Sequence, residues 1–180
     1  AMSLYGYGED WLAKAHELFW VGDVDDSALA RLIDEITAIR KDDPKALFNL
    51  WIKTGGGDFT VVAAFLDFMR VKKINLVTTA LGDVSSAGVF LFGAGKARRA
   101  TRLTKFYFHK VCVNFDVDRD VNLPQMKLDA KNLEERHEES VIMLMDLYRL
   151  DREAVETLLN SERRWTAKEM KRKGLVDQVI

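Results

Sequence analysis

The chain has 180 residues, 48% of them hydrophobic and 31% charged, enough for one globular domain with a core of its own. Lys+Arg number 27 against 28 Asp+Glu, and this balance gives no electrostatic ground for a nucleic-acid or membrane partner. The one cysteine, Cys112, excludes an intrachain disulfide and fits a reducing, cytoplasmic setting, and no N-terminal apolar run is long enough for a signal peptide or membrane span.

In chain order, His16 falls in a polar N-terminal helix, and Leu18-Phe19-Trp20-Val21 is a short β-rich run closed by Gly22-Asp23. Asp25-Asp26-Ser27 can cap a helix whose apolar stripe is Leu29, Leu32, Ile33, Ile36 and Ile39. Lys41-Asp42-Asp43-Pro44 stops that helix. Leu47 to Ile52 is a strand running into Gly55-Gly56-Gly57, and Phe59 to Arg70 is a second helix, apolar at Val61, Val62, Phe65, Leu66 and Met69. Ile74 to Ala80 is a third strand, ended by Gly82, and Ser86 to Ala94 is a buried helix. Lys96-Ala97-Arg98-Arg99 reads as a solvated turn, and Phe106 to Phe108 is a fourth strand leading into His109. This alternation predicts an α/β fold with a largely parallel sheet.

The pattern changes after His109. Cys112, between Val111 and Val113, reads as a small buried hydrophobe. From Val111 to Val121 the residues alternate, with Asn114, Asp116, Asp118 and Asp120 set against Val113, Phe115 and Val117. Pro124 begins a long helix, charged from Lys131 to Glu139 and apolar at Val141, Ile142, Leu144, Met145 and Tyr148. A strand and helix only half apolar predict an arm, roughly 111–150, that a second subunit covers. A helix over Arg152 to Leu159 follows, then a short capped helix within Thr166 to Ile180. No repeat or linker divides the chain, so residues 1–180 are expected to form one domain.

Three separated pieces suggest a hydrolytic site. A glycine run such as Gly55 to Gly57 lets backbone approach a ligand closely, although it also serves as a tight strand-to-helix turn. Ser86, with the small Ala87 and Gly88 after it, stands at a helix start where N–H groups favour negative charge. The plainer reading makes Ser85 the cap and Ser86 a buried small residue. His109 ends a β-run, where a histidine can serve as base but is usually structural. His137 lies in the charged run Glu134 to Glu139 and is a weaker candidate, and no His, Cys or acid spacing suggests a metal.

Together these pieces resemble the Clp-type serine peptidase family, the proteolytic ring partner of unfoldase ATPases. The resemblance runs from Leu18 to Ile180. Phe19-Trp20-Val21-Gly22-Asp23-Val24 is similar to the family's FLTGxV, and Thr54-Gly55-Gly56-Gly57 to its SPGG, with Gly55 in place of the proline. Gly82-Asp83-Val84-Ser85-Ser86-Ala87-Gly88 resembles GQAASMG, which puts the nucleophile on Ser86, and Phe106-Tyr107-Phe108-His109 resembles the strand ending in the catalytic histidine. Lys173-Gly174-Leu175-Val176-Asp177-Gln178-Val179-Ile180 is similar to the terminal YGLVDxVI.

The resemblance implies a crotonase-like α/β fold, with a parallel sheet, flanking helices and a protruding strand–helix handle. It implies a serine endopeptidase acting on unfolded polypeptide or peptides inside a self-assembled ring, with an unfoldase ATPase as a possible partner. Ser86 would be nucleophile, His109 base, Glu162 the acid at the position before RFLS, and the N–H groups of Gly57 and Ala87 the oxyanion hole. No metal or organic cofactor is implied. The chain departs from the family at Lys110-Val111-Cys112-Val113-Asn114, which replaces QPLGG, and at Ser161, which replaces an arginine. The Lys110 departure, and Glu162 where the family has an aspartate, favour one rival, a catalytically degenerate subunit that assembles or regulates a homologue; an acyl-CoA enzyme of the same fold is a second.

Overall fold

The computed structural model of the protein describes residues 11–112 and 122–180. They divide into two compact units: the described residues up to Tyr107 together with Arg164–Ile180, and those from Phe108 to Arg163.

The first unit is built on a seven-stranded sheet. Strands β1 (His16–Val21), β2 (Leu47–Thr54), β3 (Asn75–Ser85), β4 (Arg98–Ala100) and β7 (Gln178–Val179) lie side by side in that order, all parallel. Strand β5 (Lys105–Tyr107) pairs with the far end of β3, and β6 (Arg164–Thr166) adds to β5 antiparallel. The expected α/β architecture with a largely parallel sheet is the observed one. Leu18, Trp20, Phe48, Leu50, Ile52, Leu76 and Ala80 alternate onto one buried face. Helices α1 (Asp26–Asp42), α2 (Phe59–Val71) and α3 (Ala87–Gly93) supply the matching apolar surface. Leu29, Leu32 and Ile36 of α1 are buried, Phe65 of α2 meets Trp20 edge to face, and Phe92 of α3 stacks on Phe106.

The helix ends follow their capping residues. Asp25 accepts the Ala28 N–H at 2.8 Å and so starts α1. That bond, and then the Ser27 hydroxyl, hold the Asp25 carboxyl below its ordinary range. Its contribution is therefore present at neutral pH and is lost as pH falls through the lowered value. Near the end of the chain, α6 (Ala167–Arg172) begins with a capping box between Thr166 and Glu169.

Several expectations are corrected. His16 opens β1 rather than lying in a helix, because its backbone pairs with Phe48. Gly82 does not end β3. The register moves from Ile52↔Ala80 to Thr54↔Val84, so Lys53 alone faces Leu81, Gly82 and Asp83 in a bulge. Gly82 takes φ 63° within that bulge, and the strand resumes at buried Val84. The supposed solvated turn at Lys96 to Arg99 runs into β4 from Arg98 onward. Ala97 is buried, Arg98 pairs with Asp177 at 3.7 Å, and burial lowers the pKa of Arg99 from its ordinary value.

The second unit holds α4 (Leu123–Tyr148) and α5 (Arg152–Asn160). Asn122 caps α4 and Asp151 caps α5. Val141, Leu144 and Tyr148 of α4 and Val155, Leu158 and Leu159 of α5 are buried, and the Phe108 ring packs against Tyr148. At the charged stretch of α4, Glu138 pairs with Arg152 and His137 contacts Glu156 at 3.3 Å. Cys112 is exposed rather than buried, its thiol 3.3 Å from the Lys110 carbonyl. The alternating residues from Val113 to Val121 lie outside the described residues. Among the described residues, no helix is long and apolar enough to cross a membrane.

The sheet face makes a direct prediction for stability. Leu50 is fully buried in the middle of the sheet, whereas Phe19 on the opposite face is 55% exposed. In urea unfolding, Leu50→Ala should cost about 2–5 kcal/mol. Phe19→Ala should stay within about 0.5 kcal/mol of wild type.

Candidate functional site

Parallel strands finish at the same end, so β2 and β3 deliver the glycine run and Ser86 next to each other. Beyond Thr54 the chain turns through Gly55-Gly56-Gly57 to Asp58, which caps α2 by accepting the Thr60 N–H at 2.7 Å. The run is fastened to Val24. The Val24 N–H donates to the Gly56 carbonyl at 2.9 Å, and the Asp58 N–H donates to the Val24 carbonyl at 2.8 Å. This is a one-residue parallel bridge between Val24 and Gly57. Such a bridge uses the groups flanking Gly57, so the N–H of Gly57 itself takes no part in it.

Gly56 and Gly57 have φ 114° and 151°, where only glycine is at ease. Space is as restrictive as conformation. A Cβ on Gly56 would stand 2.6 Å from the Cβ of Ser86, and one on Gly57 would overlap the Val24 carbonyl oxygen. The backbone of Gly56 therefore lies directly against the Ser86 side chain.

Ser86 occupies the cap position of α3 with φ 54° and ψ −124°, but its side chain makes no capping bond. Such a conformation in a non-glycine residue costs on the order of 1–3 kcal/mol and has to be imposed by its surroundings. Here the Ser86 N–H donates to the Tyr107 carbonyl at 2.9 Å, and the Ser86 carbonyl accepts from Val89 at 3.0 Å. Ser85 is the last residue of β3, paired with Tyr107, and does not cap the helix. Ala87 follows as the first helical residue, where an N–H has no intrahelical acceptor. The first unit thus brings together Gly57, Ser86 and Ala87: a hydroxyl on a strained turn beside two donor-bearing backbone segments. That combination is suited to holding a developing oxyanion.

His109 and Glu162 belong to the second unit. His109 is half-buried, and its Nδ1 lies 2.6 Å from the Lys110 carbonyl oxygen. A carbonyl can only accept, so Nδ1 is the donor in this bond. Glu162 is exposed with φ 44°. The neighbouring Arg164 pairs with Asp83 at 2.9 Å. Thr54 was not singled out from the sequence. It is buried, and its hydroxyl accepts the Gly56 N–H at 3.0 Å. A threonine ahead of a glycine run is the signal that would have found it.

The geometry separates the three glycines in a measurable way. A Cβ on Gly55 meets nothing within 4 Å, and its φ is not in the glycine region. Gly55→Ala should leave stability within about 0.5 kcal/mol of wild type in thermal unfolding. Gly56→Ala should lose about 1–3 kcal/mol of stability, as read by thermal unfolding.

The sequence model described as Clp protease matches residues 7–180.

Proposed function

The chain belongs to the Clp protease family, and we propose that it is a serine endopeptidase that cleaves unfolded polypeptide or short peptides inside a homo-oligomeric ring. In this reading the Ser86 hydroxyl attacks the scissile carbonyl. His109 Nε2 takes the proton from Oγ and returns it to the leaving amine. The N–H groups of Gly57 and Ala87 receive the oxyanion of the tetrahedral intermediate. Water then enters in place of the amine and attacks the acyl carbonyl as the same histidine deprotonates it, and the proton returns to Ser86 Oγ as the C–Oγ bond breaks and the acid leaves.

The observation that carries this reading is the conformation of Ser86. It is held at a strained cap position, against glycine backbone, with its hydroxyl not spent on capping. The chain also reaches His109 only two residues beyond Tyr107, the residue whose carbonyl holds the Ser86 N–H. An acyl-CoA enzyme of the same fold would need the two donors but not the Ser86–His109 pair.

The proposed acid is Glu162, from its place before Arg163-Arg164-Trp165-Thr166. To act, its carboxylate would replace the Lys110 carbonyl as the acceptor of the Nδ1 hydrogen. A second reading follows from that same bond: the carbonyl itself fixes the tautomer, and Ser86 and His109 work as a dyad. The partner ATPase belongs to the proposal through the family alone.

One set of variants tests these roles. Ser86→Ala should abolish fluorophosphonate labelling and peptide hydrolysis, while Ser85→Ala keeps most of both. A label on Ser85 would place the nucleophile one residue earlier. A wild-type protein that takes no label would favour the degenerate subunit. Glu162→Gln should cut turnover by at least tenfold at nearly unchanged thermal stability if the carboxylate acts, and only a few-fold if the carbonyl-held dyad does.

A further inference from the structure

Thr54 is the last residue of β2, 2% exposed, and each end of its side chain touches a different part of the Ser86 site. Its hydroxyl accepts the Gly56 N–H at 3.0 Å and stands 3.4 Å from the Gly56 carbonyl oxygen, to which it donates. A hydroxyl has one hydrogen and two lone pairs, so one side chain can satisfy both backbone groups of Gly56. Its methyl meets the opening turn of α3: a Cβ on Gly88 would overlap Thr54 Cγ2.

We propose that Thr54 is the positioning residue of the oxyanion hole, tying the turn that presents the Gly57 N–H to the helix start that presents the Ala87 N–H. The inference rests on the peptidase reading and goes beyond it by naming what holds the two donors in register. The Gly56 carbonyl already accepts from the Val24 N–H, and the Asp58 N–H donates to the Val24 carbonyl, so the far side of the turn is anchored. The near side, facing Ser86, has Thr54 as its side-chain anchor. Without the hydroxyl, the Gly56 N–H is a buried donor that has lost this acceptor, and a buried amide in that state draws its backbone toward another partner. Gly57 is covalently next in line, so its N–H moves as well. A donor displaced from the oxyanion weakens transition-state binding while leaving ground-state contacts with the peptide in place.

Two near-isosteric changes separate the hydroxyl from the methyl. Thr54→Val keeps the methyl against Gly88 and removes the hydroxyl. Thr54→Ser does the reverse. For wild-type protein that labels and hydrolyses a peptide, Thr54→Val should lower kcat by about 10–100-fold with KM within twofold, approaching the loss of one oxyanion donor. Amide exchange at Gly56 should quicken in the same variant, while Thr54→Ser should keep kcat within about threefold. Equal kcat in Thr54→Val and wild type would overturn the inference, as would a Thr54→Ser variant as slow as Thr54→Val, since the hydroxyl would then not be the working group. If Thr54→Val does not fold, Thr54→Ala against Thr54→Ser differs by the hydroxyl alone, and equal kcat in that pair is equally fatal. Wild-type protein that takes no label at all would overturn the peptidase reading, and this inference with it.

Discussion

Parallel pairing of β2 with β3 is the constraint on which the site depends. In an antiparallel pair, the end of one strand lies beside the start of the other. In a parallel pair, both ends meet, and any groups they carry converge. The register that places Thr54 beside Val84 sets the glycine turn and Ser86 side by side. Strand β5 completes the arrangement by pairing Tyr107 with Ser85 and taking the Ser86 N–H on the Tyr107 carbonyl. The core beneath, with Leu50, Ile52, Val84 and Phe106 fully buried, holds that register against slippage.

Close approach then becomes the working principle. Backbone sits against side chain at Gly56, against the Val24 backbone at Gly57 and against Thr54 at Gly88, and at each place a Cβ would collide. Such contacts make the turn rigid without a wall of bulky residues. They also oblige Ser86 to adopt a conformation that an isolated serine avoids. Its strain is offset by the surrounding hydrogen bonds, and under the proposed reading the hydroxyl is thereby aimed before any substrate arrives. Preorganisation of this kind lowers the reorganisation needed as charge develops.

Much of this was legible in the residues. Period and capping located α1, because Leu29, Leu32 and Ile36 repeat at helical spacing behind Asp25. The run of three glycines stands out, and so does Ser86 at a helix start ahead of the small Ala87 and Gly88. What was not legible depends on partners distant in sequence. Gly82 looks like a stop, but a bulge opposite Lys53 absorbs it. Arg98 and Arg99 look solvated until Asp177 and Gln178 come alongside, nearly eighty residues later. Thr54 stands ahead of a glycine run, but what its hydroxyl holds shows only once it closes on Gly56. Cys112, flanked by valines, reads as buried and is exposed. Glu162 shows the opposite limit: alignment with a family motif proposes a role, but position along a chain does not specify which group meets an imidazole, and a carbonyl one residue away already holds Nδ1.

The central claim is that Gly57 and Ala87 donate to an oxygen formed when the Ser86 hydroxyl attacks. A crystal structure of the protein carrying a peptide boronate would test it most directly, because the tetrahedral adduct places an oxygen where the oxyanion forms. The expected result is boron bonded to Ser86 Oγ, with one boronate oxygen about 2.7–3.1 Å from both the Gly57 and Ala87 nitrogens. An adduct on another residue, or one on Ser86 whose oxygens lie beyond reach of both nitrogens, would contradict the claim.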